Sequence, residues 1–178
     1  KLYYGVLQHY LFIDDERLIR DRVADWNLSR EQELFMGIYL MLNFSLETID
    51  TEINRIILRE VADGRRHLNN VMTNYILPRM NSFQEVIQKG IDEGVFETIN
   101  SHMVVMQLIV FVITCINTGL TGVEKNDKNE LFRFLLEHTM KGLTPVGRVV
   151  AIPEFTPERL EALDKVIVEI KNMRTDSF

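Results

Sequence analysis

The chain has 178 residues, of which 46% are hydrophobic and 26% are charged, and its formal net charge is −6. This size and balance are ordinary for one soluble globular domain that buries a substantial core. An acidic chain repels the phosphate backbone of nucleic acids, so these residues by themselves are not expected to bind DNA or RNA.

Cysteine content and hydropathy narrow the class of protein further. A single cysteine, Cys115, excludes an internal disulfide and a cysteine-based zinc site. The sequence does not open with a secretory signal pattern, and its longest nearly apolar run, residues 103–116, is too short to span a bilayer. These features favour a cytoplasmic protein. The position of Cys115 inside that run predicts a buried thiol that reacts slowly with thiol reagents.

Nearly every segment has helical rather than alternating periodicity, which predicts an all-α fold, a bundle of about seven helices. The first helix is predicted at about residues 2–23. Its second half is densely charged and is therefore expected to face solvent. A break follows at residues 25–27, and a short third helix is predicted at about residues 50–61.

The second helix has a clear start, because Ser29 and Gln32 have the spacing of a capping box. Residues 34–46 are apolar almost all round, which is typical of a buried central helix. Gly37 lies in the helix interior, where glycine costs about 1 kcal/mol relative to alanine. We therefore expect another backbone to approach closely at Gly37.

A long fourth helix is predicted at about residues 66–93, with a kink at Pro78, since the proline ring crowds the carbonyl of Asn74. Gly94 is expected to end this helix as a left-handed cap. A local basic patch precedes and opens it. Either this patch is a solvated surface, or it contacts another domain or an anionic ligand; its members are Arg55, Arg59, Arg65 and Arg66.

Three more segments complete the helical pattern. Asn100 or Ser101 is predicted to cap the fifth helix, and residues 127–130 to open a sixth that runs to Lys141 and closes at Gly142. A connector at residues 143–155 leads to the last helix. Its first residues are Thr156 as cap and Pro157 in the first turn. This helix has one apolar stripe, which predicts docking by a single face: Leu160, Leu163, Val166, Ile167 and Ile170.

Catalytic motifs are missing from the sequence. It contains no zinc-protease pair of histidines, no nucleophile elbow, no phosphate-binding loop and no dinucleotide-binding turn. The four histidines lie on four different predicted helices, so neither a metal site nor a cofactor is predicted. The sequence therefore favours a binding protein over an enzyme.

A small-molecule site is predicted between the second, fourth and fifth helices, beside Pro78. Tyr39 and Asn43 place two polar groups in an otherwise apolar stripe, where both need partners if they are buried. An apolar wall with a few polar points is typical of a ligand pocket, and it favours a largely hydrophobic, aromatic compound. The alternative is that these residues are ordinary core. The predicted lining residues are Phe35, Met36, Tyr39, Asn43, Met72, Tyr75, Met106 and Val110.

A homodimer is predicted on the fifth and sixth helices. Residues 103–116 have no polar face wide enough for solvent, so a partner is expected to cover one side. Two copies of both helices would form a four-helix bundle about a two-fold axis. The alternative is that these residues form only intramolecular core. The predicted interface residues are Met103, Ile109, Ile113, Ile116, Leu131, Phe132, Leu135, Leu136 and Met140.

Five segments, in this order and spacing, resemble the regulatory domain of TetR-family transcriptional regulators. The most characteristic is VIQKGIDEGVF, in which a helix ends in glycine and is followed by an acidic pair, a second glycine and an aromatic residue. The resemblance covers residues 1–145. The five segments are residues 1–7 at the start of the linking helix, ILREVADG at 57–64, YILP at 75–78, VIQKGIDEGVF at 86–96 and LLEHTMKGLTP at 135–145.

The resemblance implies a domain organisation and a function. Residues 1–145 would be a ligand-binding and dimerisation domain, with residues 1–23 as the linking helix from a helix-turn-helix domain that these residues do not include. Residues 146–178 would be a connector and a C-terminal helix docked on the same domain. It implies a homodimeric repressor whose operator affinity changes when a small hydrophobic molecule binds. The alternatives are a helical adaptor regulated by a protein partner, with no small ligand, and a helical enzyme.

Overall fold

A computed structural model describes residues 15–47, 73, 77–97, 100–118, 128–150 and 152–175. Every regular element in these ranges is helical, which confirms the all-α prediction. None of the helices described there is both long enough and apolar enough to cross a membrane. The helices are α1 (Asp15–Val23), α2 (Arg30–Glu47), α3 (Leu77–Asp92), α4 (Ser101–Thr118), α5 (Lys128–Leu143) and α6 (Pro157–Thr175).

Several sequence predictions concern other parts of the chain. The first half of the first helix, the helix at residues 50–61 and the basic patch around Arg59 lie outside the described residues. Pro78 lies in the first turn of α3, and the predicted kink depends on residues 74–76, which also lie outside them. The charged residues of α1 from Arg20 to Arg22 are exposed, as predicted.

The predicted helix starts are confirmed at three positions. At α2, the Gln32 amide donates to Ser29 Oγ at 3.3 Å and the Ser29 amide donates to Gln32 Oε1 at 3.2 Å. At α4, the Met103 amide donates to Asn100 Oδ1 at 3.2 Å. At α6, the amide of Arg159 donates to the hydroxyl of Thr156 at 3.4 Å. Each cap satisfies an amide that has no partner within its own helix.

The end of α3 is a Schellman motif, and Gly94 is its left-handed residue with φ +70°. The Gly94 amide donates to the Ile91 carbonyl at 2.9 Å, and the Val95 amide donates to the Gly90 carbonyl at 2.8 Å. The buried ring of Phe96 then packs directly on Gly90, where a Cβ atom would overlap the ring. The two glycines of this segment therefore have different roles: Gly94 permits the turn, and Gly90 makes room for the aromatic ring.

The end of α5 differs from the sequence prediction. The helix continues through Gly142 to Leu143, and Gly142 is an exposed helical residue rather than a cap. The chain leaves the helix at Thr144, whose amide and hydroxyl both donate to the Met140 carbonyl, at 2.9 and 2.7 Å. The threonine hydroxyl thus supplies the terminal bond for which the prediction invoked glycine.

The chain divides into two compact units. The first comprises residues 1–27, 48–79 and 156–178, and α1 and α6 contact each other within it. Arg159 of α6 lies 5.2 Å from the centroid of the Trp26 ring and donates to the Trp26 carbonyl at 2.9 Å. The predicted stripe of α6 is buried except at its first residue, Leu160, which is half-buried.

The second unit comprises residues 28–47 and 80–155, and α2 contacts both α4 and α5 within it. Residues 146–155 therefore group with the helices before them, and α6 groups with the first unit. The core confirms α2 as a buried helix. Its fully buried side chains are Leu34, Ile38 and Leu42 from α2, Ile87 from α3, Val105 and Val112 from α4, and Leu136 and Leu143 from α5.

Gly37 marks a close approach, but not by a backbone as the sequence predicted. The ring of Phe83 lies against it, and a Cβ atom at position 37 would be 2.6 Å from Phe83 Cε2. The glycine on α2 therefore accommodates an aromatic side chain of α3. An aromatic ring reaches the backbone of a neighbouring helix only where that helix has no side chain.

Polar bonds fix the turn between α3 and α4. The Arg30 guanidinium holds both carboxylate oxygens of Glu93, at 2.6 Å from Nη2 to Oε1 and 2.9 Å from Nε to Oε2. Arg148 donates to the Gly94 carbonyl at 2.8 Å, and the Glu97 amide donates to the Leu143 carbonyl at 2.7 Å. The hydrogen bonds from Arg30 lower the pKa of Glu93 below its ordinary value.

Candidate functional site

Four aromatic rings, which we call the aromatic cluster, meet beside α2. Phe35 lies at its centre, with ring centroids 4.8 Å from Phe132 of α5 and 4.7 Å from Phe155 of the connector. Tyr39, one turn along α2, completes the set. Both centroid pairs have edge-to-face geometry, in which the positive edge of one ring faces the negative face of the other.

One end of the aromatic cluster is closed and the other is accessible. Phe35 is 6% exposed and Phe155 is also buried, whereas Tyr39 and Phe132 are half-buried. The rings of Tyr39 and Phe132 are perpendicular, with centroids 5.4 Å apart. Met36, the next residue of the predicted wall, is half-buried as well. The solvent-accessible part of the aromatic cluster therefore belongs mainly to Tyr39 and Phe132.

Asn43 is the buried polar residue of this stripe, one turn after Tyr39, and only 1% of its surface is exposed. Its amide nitrogen Nδ2 donates to the Tyr39 carbonyl at 2.8 Å. Among the residues that the structure describes, none donates a hydrogen bond to its carbonyl oxygen, Oδ1. Asn43 therefore presents one buried acceptor beside the aromatic cluster.

The structure assembles part of the predicted ligand site. Phe35, Met36, Tyr39 and Asn43 follow one another along α2 as expected. Met106 is half-buried on α4, but Val110 is 55% exposed and belongs to a solvent-facing side of that helix. Met72 and Tyr75 lie outside the described residues.

Phe132 and Phe155 are neighbours that the sequence did not assign to this site. Phe132, predicted for the dimer interface, packs instead on Phe35 and Tyr39 of its own chain. Phe132 precedes the buried residues Leu136 and Thr139 by one and two turns of α5, and this spacing is the signal that places it beside the core. Phe155 ends an irregular connector, where no periodicity exists to indicate burial.

A second surface, which we call the α4–α5 face, carries exposed apolar side chains together with the polar side chains of Gln107 and His138. Met103 is 62%, Val110 55% and Phe134 54% exposed. The ring of Phe134 lies 5.9 Å from that of Phe111 and is stacked at 5.9 Å on His138. These residues extend along one side of two neighbouring helices.

Most of the residues predicted for an interface on α5 do not lie on this surface. Leu131, Leu135, Leu136 and Met140 are buried within the single chain and contribute to its own core, so they are not exposed to a partner. The aromatic rings that α5 exposes are those of Phe134 and His138.

On α4, Met103 is exposed and Ile109 is half-buried. The side chains of Ile113, Cys115 and Ile116 are outside the described part of the chain, so the thiol prediction stays a prediction.

Within the described ranges, no three histidine, cysteine, aspartate or glutamate side chains are close enough to hold a metal ion. In comparisons with known proteins, no family model, no curated protein and no solved structure matches the chain. The residues and geometry of the chain itself therefore carry the functional proposal.

Proposed function

We propose that this chain is the ligand-binding and dimerisation domain of a TetR-like transcriptional regulator. In this proposal a small, largely hydrophobic molecule binds at the aromatic cluster and changes the operator affinity of a homodimer. One observation carries the proposal: α5 contributes Phe132 to the aromatic cluster and presents Phe134 and His138 on the exposed α4–α5 face. A single helix thus connects the aromatic cluster to a surface suited to dimerisation.

The segment at residues 86–96 supports the family resemblance. Its glycines at positions 90 and 94 and its aromatic residue at 96 have distinct physical roles in one turn. Three residues of the quoted segment, Gly90, Gly94 and Phe96, thus act together at the end of α3. The hydrogen bond from Arg30 of α2 to Glu93 further holds this turn against α2.

The homodimer is supported by the exposed α4–α5 face. Apolar side chains at Met103, Val110 and Phe134 are better covered than left in water. Two copies of a pair of neighbouring helices related by a two-fold axis form a four-helix arrangement, and two-fold symmetry is the commonest in homo-oligomers.

The acidic chain would not contact DNA itself. With a net charge of −6, it repels phosphate. In the proposed regulator, a separate helix-turn-helix domain of the parent chain binds the operator, and the whole protein acts in the cytoplasm. Ligand binding would act by favouring one arrangement of the dimer over another, through its different affinity for the two.

The test is a screen of hydrophobic aromatic compounds, scored by the rise in Tm of this domain, because a ligand that binds only the folded state stabilises it. Compounds that raise Tm are expected to change the operator affinity of the parent chain. Tyr39→Ala is expected to weaken their binding, whereas Val146→Ala, a change at an exposed connector residue, leaves it unaltered. Binding without any effect on operator affinity would contradict a regulatory role.

A helical adaptor is the second candidate. Val146 is 97% exposed and Val149 is also exposed in the connector, on either side of a turn at Gly147 with φ +87°. In this alternative a protein partner covers these two valines. A chain that remains monomeric at micromolar concentration and binds no compound in the screen would favour this alternative.

A further inference from the structure

We infer that the ligand is an uncharged, flat aromatic molecule that donates one N–H or O–H hydrogen bond to Oδ1 of Asn43. This inference rests on the proposed function and specifies the chemistry of the same site. It follows from three features of the stripe formed by Phe35, Tyr39 and Asn43: an unused acceptor, an accessible aromatic edge and the absence of charge.

The acceptor is fixed in position. Nδ2 of Asn43 donates to the Tyr39 carbonyl at 2.8 Å, so the amide group is held at one end and Oδ1 is directed away from that carbonyl. The side chain is 99% buried, and nothing in the described ranges donates to Oδ1. A buried carbonyl without a donor costs free energy, which a ligand with a donor would remove.

The aromatic edge lies one turn away on the same helix. Tyr39 and Phe132 are half-buried, and their perpendicular rings have centroids 5.4 Å apart. A third ring that joins them in stacked or edge-to-face contact gains aromatic contact without displacing the buried ring of Phe35. The donor of such a molecule would then lie towards Asn43.

The stripe offers nothing to neutralise a charge. Residues 34–43 of α2 contain no acidic or basic side chain. Transfer of an ion from water into such surroundings is strongly unfavourable, whereas a neutral donor needs only one acceptor. The chemistry of the α2 side of the site therefore favours phenols, indoles and anilides over carboxylates, phosphates and amines that are protonated at neutral pH.

The experiment compares indole with benzofuran, which has the same shape but an oxygen in place of the N–H group. Both are titrated by calorimetry into the wild-type chain and into two variants. Asn43→Leu removes the acceptor at similar volume, and Thr139→Val removes a different buried polar group, on α5, as the matched control. Circular dichroism and Tm establish that each variant folds.

The wild-type chain and Thr139→Val are expected to bind indole about tenfold more tightly than benzofuran, as one neutral hydrogen bond provides. Asn43→Leu is expected to bind both compounds with the same affinity. If Asn43→Leu does not fold, 1-methylindole, which has no N–H group, replaces the variant and is expected to bind the wild type as weakly as benzofuran.

Equal binding of the two compounds to the wild type would overturn the inference, as would a preference for indole that survives in Asn43→Leu. Failure of both to bind the wild type would also overturn it. The proposed function has a separate readout: if other compounds still raise Tm and alter operator affinity, only the ligand chemistry is wrong.

Discussion

Phe96 approaches the α3 backbone at Gly90, and a Cβ atom there would overlap its ring. Gly90→Ala forces this buried ring to move, so we expect a loss of about 1–3 kcal/mol in the free energy of unfolding, as for other overpacked core sites. Urea denaturation measures the loss.

Gly142 gives the matched control, because it is helical and exposed and has nothing within 4 Å of an added Cβ. Gly142→Ala is expected to raise stability by up to about 0.5–1 kcal/mol, through the greater helix propensity of alanine. Equal effects of the two changes would show that Phe96 does not occupy the described position.

Glu93 should make stability depend on pH. Hydrogen bonds from Arg30 lower its folded-state pKa, so it lies below the unfolded value of about 4.3. The stabilisation is fully present above that value and is lost as the pH falls through the folded-state pKa. We expect Glu93→Gln to lower the urea midpoint at about pH 7 and to have a smaller effect at about pH 3.

The control for this prediction is Glu97→Gln, a change four residues away at an exposed side chain. It is expected to have little effect on the midpoint at either pH. A Glu93→Gln effect of the same size at both pH values would show that the side chain matters through packing rather than through its charge.

The capping residues of the helices were predictable because each cap is a hydrogen bond between residues that are close together in the sequence. Ser29, Asn100 and Thr156 each accept from the amide three residues later, so a short stretch of sequence contains both partners. Gly94 was predictable for the same reason. The end of α5 was not, because Thr144 and Gly142 are both acceptable terminators and only the path of the following chain selects between them.

The buried side of α5 follows helical spacing in the sequence, with Leu131, Leu135, Leu136 and Met140 on one face. The spacing shows which face is apolar but not whether that face packs on its own chain or on a partner, so these residues were assigned to the interface. The spacing of Phe35, Tyr39 and Asn43 on α2 was informative, whereas Phe132 and Phe155 join them through tertiary contacts. The sequence therefore indicated the α2 wall of the site but not its opposite side.

The start of α2 gives a prediction at this scale. Ser29→Ala removes the acceptor of the Gln32 amide, so we expect a loss of about 1 kcal/mol in stability. Ser29→Asp retains an acceptor oxygen and is expected to preserve most of the stability. Thermal denaturation followed by circular dichroism measures both. An aspartate variant as unstable as the alanine variant would argue against the cap as the cause.

For the whole molecule, the exposed α4–α5 face predicts a dimer at micromolar concentration. Val110→Glu and Phe134→Glu would each place a charge in an apolar interface, which is expected to weaken dimerisation by about 100-fold or more. Both side chains are more than half exposed in the single chain, so the changes should leave its fold intact. Sedimentation velocity across a concentration series measures the dissociation constant.

Val146→Glu is the control for the dimer, since this residue is apolar and almost fully exposed but lies in the connector. It is expected to leave the dissociation constant unchanged. A wild-type chain that sediments as a monomer would contradict the interface, and disruption by Val146→Glu alone would place the interface at the connector.

The bond between Glu97 and Leu143 gives the molecule a built-in reporter of its internal motion. The Glu97 side chain is exposed, yet its amide donates at 2.7 Å to the last carbonyl of α5. Exchange of that amide proton with deuterium requires the bond to open. Its exchange rate therefore reports how often the end of α5 separates from the α3–α4 turn. Glu97 is already close to solvent, so opening of this bond is enough for exchange.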